Sequence, residues 1–168
     1  NDDGSAAIFA WHLDPAATAF GGAMTPLAES GIVDFTNPAA FDFWRDAHAA
    51  LFEVGVDVVK SAFGEHVPDD AVAHNGDRGR RLHNVYPLLY NRCVFEATAK
   101  FQPQGDAPPI VWSRAGWAGS QRFPVGWGGD PQSDWEGLAA SIRGALSLGM
   151  SGTPYHASDI GGYYGTSQ

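Results

Sequence analysis

The sequence predicts an α/β fold built from parallel β/α units. Three observations predict it: short apolar runs rich in β-branched residues, longer segments with apolar residues at helical spacing, and the alternation of the two along the chain. Helices between strands return the chain to the same edge of the sheet, so such strands run parallel. The chain has 168 residues, 44% hydrophobic and 12% aromatic. That is enough to form a core, so we expect one domain or part of a larger one.

The first strand and helix are predicted after residue 31. Residues 1–31 are rich in Ala, Gly and Pro, show no sustained period and are expected to form a lead-in loop. The run 32–36 predicts a strand, and Asn37-Pro38 is typical of a helix start. The helix is expected to end at Gly55. Its apolar positions recur at helical spacing: Phe41, Trp44, His48, Leu51 and Phe52.

Two further β/α units and a final strand are predicted downstream. Residues 56–60 predict a strand, 67–81 a loop, and the next segment a helix marked by Val85, Leu88, Leu89 and Cys93. Pro87 lacks an amide hydrogen and is expected only in the first turn of that helix. Residues 103–109 predict a linker and 110–113 a third strand. Ser133 or Asp134 is expected to cap a helix with Leu138, Ile142, Ala145, Leu146 and Gly149 on one face, before 155–158 lead to Asp159.

The charge balance excludes several classes of partner. Ten Lys and Arg oppose 19 Asp and Glu, a net charge of −9, and no basic cluster stands out, so we expect neither nucleic acid nor an anionic membrane surface to bind. No apolar run has the roughly 20 residues of a membrane span, and no signal peptide is recognised, which favours a cytoplasmic location. Cys93 is the single cysteine and is expected to be a buried, unreactive thiol.

Polar residues collect just after the predicted strands, at 60–65, 114–122, 127–130 and 159–163. In parallel β/α folds ligands bind at the carboxyl ends of the strands, so these segments are expected to converge on one site. The alternative is that Gly, Asp and Arg occur there only because they favour loops.

Five segments, in order and spacing, resemble the catalytic barrel of glycoside hydrolase family 31. The resemblance spans residues 32 to about 165. The segments are Val-Asp-Phe-Thr-Asn-Pro at 33–38, Lys-Ser-Ala-Phe-Gly-Glu at 60–65, Arg-Ala-Gly-Trp-Ala-Gly-Ser-Gln-Arg-Phe-Pro at 114–124, Trp-Gly-Gly-Asp at 127–130 and Ser-Asp-Ile-Gly-Gly-Tyr at 158–163.

The resemblance implies a retaining α-glycosidase on a (β/α)₈ barrel, acting on an α-xyloside or α-glucoside with one carboxylate as nucleophile and another as acid/base. Asp130 matches the acid/base, and apolar walls from Trp127 would help it hold a proton. The nucleophile Asp of the family branch falls on Ala62, whose methyl group cannot attack. Neither Asp57 nor Glu65 is an obvious substitute, so we predict a nucleophile-deficient site.

Further substrate-binding residues follow from the same resemblance. Arg114 matches an arginine that bonds a sugar hydroxyl, although a structural ion pair is the alternative. Lys60 matches a lysine of the α-xylosidase and sulfoquinovosidase branch, and Asp159 a carboxylate that supports the sugar site. Aromatic walls are expected from Phe63, Trp127 and Tyr163, with core packing as the alternative. Gly126, where a His is common, and residues 28–30 depart from the family pattern.

No cofactor or metal is expected. The six histidines lack the spacing of a zinc site, and Ser120 with His156 lacks the Gly-x-Ser-x-Gly context of a hydrolytic triad. Two other functions stay open: a carbohydrate-binding pseudoenzyme and an α-transglycosylase. A complete barrel takes about 250 residues, and the motifs correspond to its third to seventh strands. We therefore expect residues 32–168 to be the middle of a larger barrel, poorly stable alone.

Overall fold

The computed structural model describes residues 31–103 and 107–166, together with the backbone of residues 11–14 and 23–26. In chain order the elements are β1 (Trp11–Asp14), β2 (Ala23–Pro26), α1 (Pro38–Ala47), α2 (Ala49–Glu53), β3 (Val59–Ser61), α3 (Gly79–Phe101), β4 (Val111–Ser113), β5 (Gly126–Trp127), α4 (Trp135–Met150) and β6 (His156–Ala157). A 3₁₀ turn lies at 120–122.

The central element is a parallel sheet with strand order β3-β4-β5-β6. Adjacent strands in the sheet are also consecutive in the chain, and the register pairs Lys60 with Trp112 and Gly126 with His156. The helix α3 connects β3 to β4, and α4 connects β5 to β6. The parallel α/β prediction is therefore confirmed.

The predicted strand at 32–36 is wrong, although its apolar residues are buried. Val33 and Phe35 are 4% and 5% exposed and join the core, where Phe35 stacks on Tyr90. Local hydrogen bonds satisfy several polar groups of this segment. The Asp34 side chain accepts from the Thr36 amide and hydroxyl, and the Asp34 backbone carbonyl accepts from the Asn37 amide. These bonds close a turn where a strand would need a ladder partner.

The lead-in segment is not loop throughout, as we predicted it to be. β1 and β2 pair antiparallel, with Trp11 opposite Pro26 and Asp14 opposite Ala23. Each strand has four residues, too few for a period to stand out in the sequence.

The first two predicted helices form, with differences in detail. Asn37 caps α1 by accepting from the Ala39 amide, and Pro38 is its first residue, as predicted. The helical segment breaks at His48 into α1 and α2, and it ends just before Gly55, whose φ is +95°. The expectation for Pro87 is wrong, because it lies buried inside α3. α3 has 23 residues with a continuous buried face, and this packing offsets the roughly 3 kcal/mol cost of an interior proline.

The last predicted helix is α4, capped by Asp134, which accepts from the Gly137 amide at 2.7 Å. Its apolar face is formed as predicted, but no residue of α4 is buried within the described part of the chain. Leu138, Ile142 and Leu146 are 50%, 54% and 67% exposed. The predicted linker has no regular structure at 103 and 107–109, and its residues 104–106 lie outside the described ranges. Over the described ranges, no helix combines the length and hydropathy needed to cross a bilayer.

Candidate active site

The segments that follow the four parallel strands meet at one edge of the sheet. Ala62 follows β3, Arg114 follows β4, Asp130 follows β5 closely and Asp159 follows β6. Because β4 lies between β3 and β5, Arg114 follows a strand that lies between the strands followed by Ala62 and by Asp130. Ion pairs join these strands and segments: Lys60 with Asp159, and Arg114 with both Glu65 and Asp130.

Lys60 forms the centre of an aromatic box. Its ammonium group lies 3.8 Å from the ring centre of Trp127, 4.4 Å from that of Trp112 and 5.8 Å from that of Tyr163. The Asp159 carboxylate closes the box, with Nζ and Oδ1 3.4 Å apart. An ammonium over indole faces is attracted by the ring quadrupole, so the charge of Lys60 is held in place from several sides.

Trp112 was missed in the sequence, although strand alternation points to it. Val111 and Ser113 are buried on one face of β4, which leaves Trp112 on the other face, in register with Lys60. The Trp112 and Trp127 rings lie 5.7 Å apart. Among the residues described, Nε1 of both indoles and Oδ2 of Asp159 are buried without a hydrogen-bond partner. Two donors and one acceptor beside Lys60 are thus unsatisfied within the described part of the chain.

Arg114 links two carboxylates. It donates from Nε and Nη2 to the two oxygens of Glu65, at 2.5 and 3.0 Å, and Nη1 lies 3.6 Å from Asp130 Oδ2. Its guanidinium also stacks on Phe63, 4.2 Å from the ring centre. Burial raises the pKa of Glu65, but the hydrogen bonds from Arg114 and from the Glu65 backbone amide outweigh it, so the net pKa is lowered. Glu65 is therefore an anchored carboxylate, and Arg114 forms an ion pair with it.

The turn at 62–64 is tight and conformationally unusual. Phe63 has a φ of +64°, a left-handed conformation that costs a non-glycine residue roughly 1 kcal/mol or more. At Gly64, with φ +100°, a Cβ would lie 3.4 Å from Tyr90 and 3.5 Å from Ala115. Ala62 borders a mainly aromatic cavity of about 380 Å³. The turn brings Phe63 against Arg114 and holds position 62 at the strand end.

Asp130 follows Gly129, whose φ of +97° turns the chain after β5. The side chain of Asp130 is 30% exposed, whereas Trp127 at the end of β5 is 3% exposed. At Gly126 a Cβ would lie 3.1 Å from the Thr153 methyl group, which limits this position to a small residue.

The loop that carries Asp159 is bound to the loop that carries Asp130. The Tyr163 amide donates to the Pro131 carbonyl at 2.7 Å, and the Ser133 amide donates to the Tyr164 carbonyl at 2.8 Å. A Cβ at Gly162 would lie 2.5 Å from Ser133 Cα, so no other residue fits there without a shift. Gly162, the second glycine of the last motif, thus allows close contact between these two loops.

Two histidines and the cysteine outside this site have structural positions. His48 Nδ1 lies 2.7 Å from the Trp44 carbonyl and His83 Nδ1 lies 3.0 Å from the Val67 carbonyl. Burial raises the pKa of the Cys93 thiol to about 12, and its residue is fully buried, as predicted. Over the described ranges, no three His, Cys, Asp or Glu residues are grouped so as to hold a metal ion.

Comparison with known proteins identifies what this site resembles. A sequence model described as "Glycosyl hydrolases family 31 TIM-barrel domain" matches residues 2–168. An α-xylosidase of Emericella nidulans is 41% identical over 140 residues, 83% of this chain and 18% of that protein, and a sulfoquinovosidase of Escherichia coli is 38% identical over 79% of this chain and 20% of that protein. The structure of a sulfoquinovosidase from E. rectale, bound to an aza-sugar inhibitor, superposes with a TM-score of 0.74 at 32% identity, covering 98% of this chain and 24% of that one. The chain thus spans about a fifth of the length of these relatives and forms part of a (β/α)₈ barrel.

Proposed function

The chain belongs to glycoside hydrolase family 31, and on that premise we propose that it forms the catalytic centre of an α-glycosidase barrel that has lost its nucleophile at Ala62. The substrate is an α-xyloside or an α-glucoside. Residues 32–168 contribute the barrel segment that holds the site, and Asp130 is the acid/base.

The observation that carries the proposal is the arrangement of Ala62, Arg114 and Asp130 on consecutive strand ends. A retaining glycosidase needs two carboxyl groups about 5–5.5 Å apart, one on each side of the anomeric carbon. Position 62 and Asp130 follow strands that flank β4, and Arg114 reaches from β4 to 3.6 Å from Asp130. An aspartate at position 62 would therefore face Asp130 across the site.

The aromatic box supports a sugar as the ligand. The half-buried Trp112 ring, which lies 5.7 Å from the ring of the buried Trp127, would offer an apolar face to the C–H side of a sugar ring. Among the described residues, the indole N–H groups of both tryptophans and Oδ2 of Asp159 have no hydrogen-bond partner. Sugar hydroxyls, which both donate and accept hydrogen bonds, would supply these partners.

Two carboxylates near position 62 are poor replacements for a nucleophile. Both oxygens of Glu65 are bonded to Arg114, so attack would require breaking a bidentate ion pair. Asp57 is exposed and precedes β3, at the opposite end of the strand from Ala62. Without a nucleophile, an α-glycoside binds but no glycosyl-enzyme intermediate forms.

Chemical rescue tests this proposal in the full-length protein. A small anion such as azide fits the space left by a carboxylate beside Ala62 and attacks the anomeric carbon from the β face. The C–N bond forms as the glycosidic C–O bond breaks, and the leaving oxygen takes its proton from Asp130. With 4-nitrophenyl α-xyloside we expect no turnover alone and a β-xylosyl azide when azide is added, detected by NMR.

Replacing the missing group provides the matched control. Ala62→Asp is expected to raise hydrolysis without azide by about 10³-fold or more, because a covalent nucleophile is worth several powers of ten. Asp130→Asn in the same background should lose activity mainly on substrates with poor leaving groups, which need an acid. The absence of any azide product from xyloside and glucoside, together with an inactive Ala62→Asp variant, would refute the enzymatic proposal.

Ala62 itself favours a second candidate, a carbohydrate-binding pseudoenzyme. In that case an α-xyloside would quench the fluorescence of Trp112 and Trp127 with saturable affinity, and neither azide nor Ala62→Asp would produce turnover.

If Ala62→Asp is active and an added acceptor sugar takes up most of the xylosyl groups, the site is a transglycosylase.

A further inference from the structure

The helix α3 contains a buried amide that touches the site from behind the sheet. Asn91 is 1% exposed, and it lies on the face of α3 that packs on β3 and β4. Asparagine is a weak helix former and is costly to bury without partners, so its place in the middle of a 23-residue helix needs a physical reason.

Its hydrogen bonds supply that reason. The Ser61 hydroxyl donates to Asn91 Oδ1 at 3.0 Å, and Asn91 Nδ2 donates to the Ala115 carbonyl at 2.9 Å. Ser61 is the residue before Ala62, and Ala115 is the residue after Arg114. One amide therefore holds the ends of two adjacent strands, each next to a site residue.

We call this pair of Asn91 side-chain bonds the Asn91 clamp. A backbone hydrogen bond between β3 and β4 lies beside it. The Arg114 amide donates to the Ser61 carbonyl at 3.2 Å, so the sheet continues to the same point where the Asn91 side chain binds. The turn at 62–64 and the loop at 115–119 begin directly after this point. The Asn91 amide thus joins β3 and β4 where the two strands end, next to position 62 and Arg114.

We infer that Asn91 is a positioning residue, which sets the placement of position 62 relative to Arg114 and through Arg114 relative to Asp130. This inference rests on the proposed function for its catalytic consequence, but the clamp itself is independent of turnover. A displacement of about 1 Å at a reacting group can cost on the order of 100-fold in rate. Loss of the clamp should therefore lower kcat and leave KM nearly unchanged, because sugar binding depends on the aromatic box.

The test uses three variants in the full-length Ala62→Asp background. Asn91→Leu removes both bonds at similar volume, Ser61→Ala removes only the bond to β3, and Thr98→Val is the matched control. Thr98 is fully buried on the same helix, and its hydroxyl donates to the Val94 carbonyl at 3.0 Å within α3. Thr98→Val therefore removes a buried hydrogen bond that lies within α3 and does not involve the strands.

We expect Asn91→Leu to lower kcat by about 10- to 100-fold and Ser61→Ala by a smaller factor, with KM within about two-fold of the parent. Thr98→Val should keep kcat within two-fold. If Asn91→Leu does not fold, Ser61→Ala decides the question, since it leaves α3 unchanged. The inference is overturned if both site variants keep the parent kcat, or if Thr98→Val lowers kcat as much as they do.

A second readout separates this inference from the proposed function. In the unmodified protein, the Arg114 Nε–H bonded to Glu65 should give a shifted, slowly exchanging proton signal in NMR spectra. Asn91→Leu and Ser61→Ala should move or broaden it, and Thr98→Val should not. If Ala62→Asp shows no turnover, the proposed function fails, and this signal still decides whether Asn91 positions Arg114.

Discussion

The two halves of the sheet are held in different ways, although both contribute to the site. β3 and β4 are covered by α3, eight of whose 23 residues are buried. β5 and β6 are connected by α4, none of whose 16 residues is buried in the part of the chain described. Position 62 and Arg114 thus rest on a packed half, while Asp130 and Asp159 rest on a half held by loop contacts. The packed core therefore fixes one side of the site, and backbone hydrogen bonds between loops fix the other.

A pair of truncations should expose this difference most strongly. Phe35 is 5% exposed and packs on Tyr86 and Tyr90 in the core beneath α3, so Phe35→Ala should destabilise the chain by about 3–5 kcal/mol. Ile142 lies on the uncovered face of α4 at 54% exposure, and Ile142→Ala should change stability by about 0.5 kcal/mol or less. Urea denaturation followed by circular dichroism measures both. A loss at Ile142 as large as that at Phe35 would mean that α4 is packed in solution, and the contrast between the halves would disappear.

The sequence predicted the features of these halves that depend on local chemistry. The caps at Asn37 and Asp134 and the strands at 111–113 and 156–157 follow from residues near one another in the chain, and they formed as expected. The segment 32–36 has the composition of a strand, but strand formation needs a partner elsewhere in the chain, and composition cannot supply one. Pro87 violates a local preference because the buried face of α3 outweighs it.

The candidate site, like the fold, was predicted from the sequence only in part. The residues after the parallel strands do meet at one edge, because the carboxyl ends of parallel strands must. For Arg114 the sequence left both a sugar contact and an ion pair open, and it did not identify Glu65 as the partner, because that bidentate contact depends on the turn at 62–64. Trp112 and Asn91 carry no motif. Strand alternation could have found Trp112, but only the packing of α3 on the sheet reveals Asn91.

A second pair of substitutions tests the loop contacts of the less packed half. Gly161 and Gly162 both have positive φ, +87° and +90°, so an alanine at either is strained by about 1 kcal/mol. At Gly161 a Cβ would meet nothing within 4 Å, whereas at Gly162 it would lie 2.5 Å from Ser133 Cα. Gly162→Ala should therefore also separate the Asp159 loop from the Asp130 loop and weaken sugar binding, measured by calorimetry. Equal binding by the two variants would show that the contact with Ser133 does not hold the site together.

The smallest expected effect concerns the ion pair in the packed half, and it appears as a pH dependence of stability. The pKa of Glu65 in the folded chain is lowered from its ordinary value of 4.5, where Arg114 bonds outweigh burial. A carboxylate with a lowered folded pKa stabilises the fold fully above its unfolded pKa, and this contribution is lost as the pH falls through the folded pKa. The contribution of Glu65 to the free energy of unfolding is constant from neutral pH down to about pH 4.5, so stability is lost only in more acidic solutions.

Glu65→Gln should therefore flatten the acid limb of the stability curve below about pH 4.5 and lower stability modestly at pH 7, because Gln keeps one acceptor for Arg114 without the charge. Thermal melts between pH 3 and 7 measure this. Asp57→Asn is the matched control: this carboxylate is exposed and precedes β3, so its removal should leave the acid limb unchanged. If Glu65→Gln keeps the full acid dependence of the parent, the ion pair does not contribute to the packed half, and Arg114 must be held by its other contacts, which include the Asn91 clamp, the Phe63 ring and Asp130.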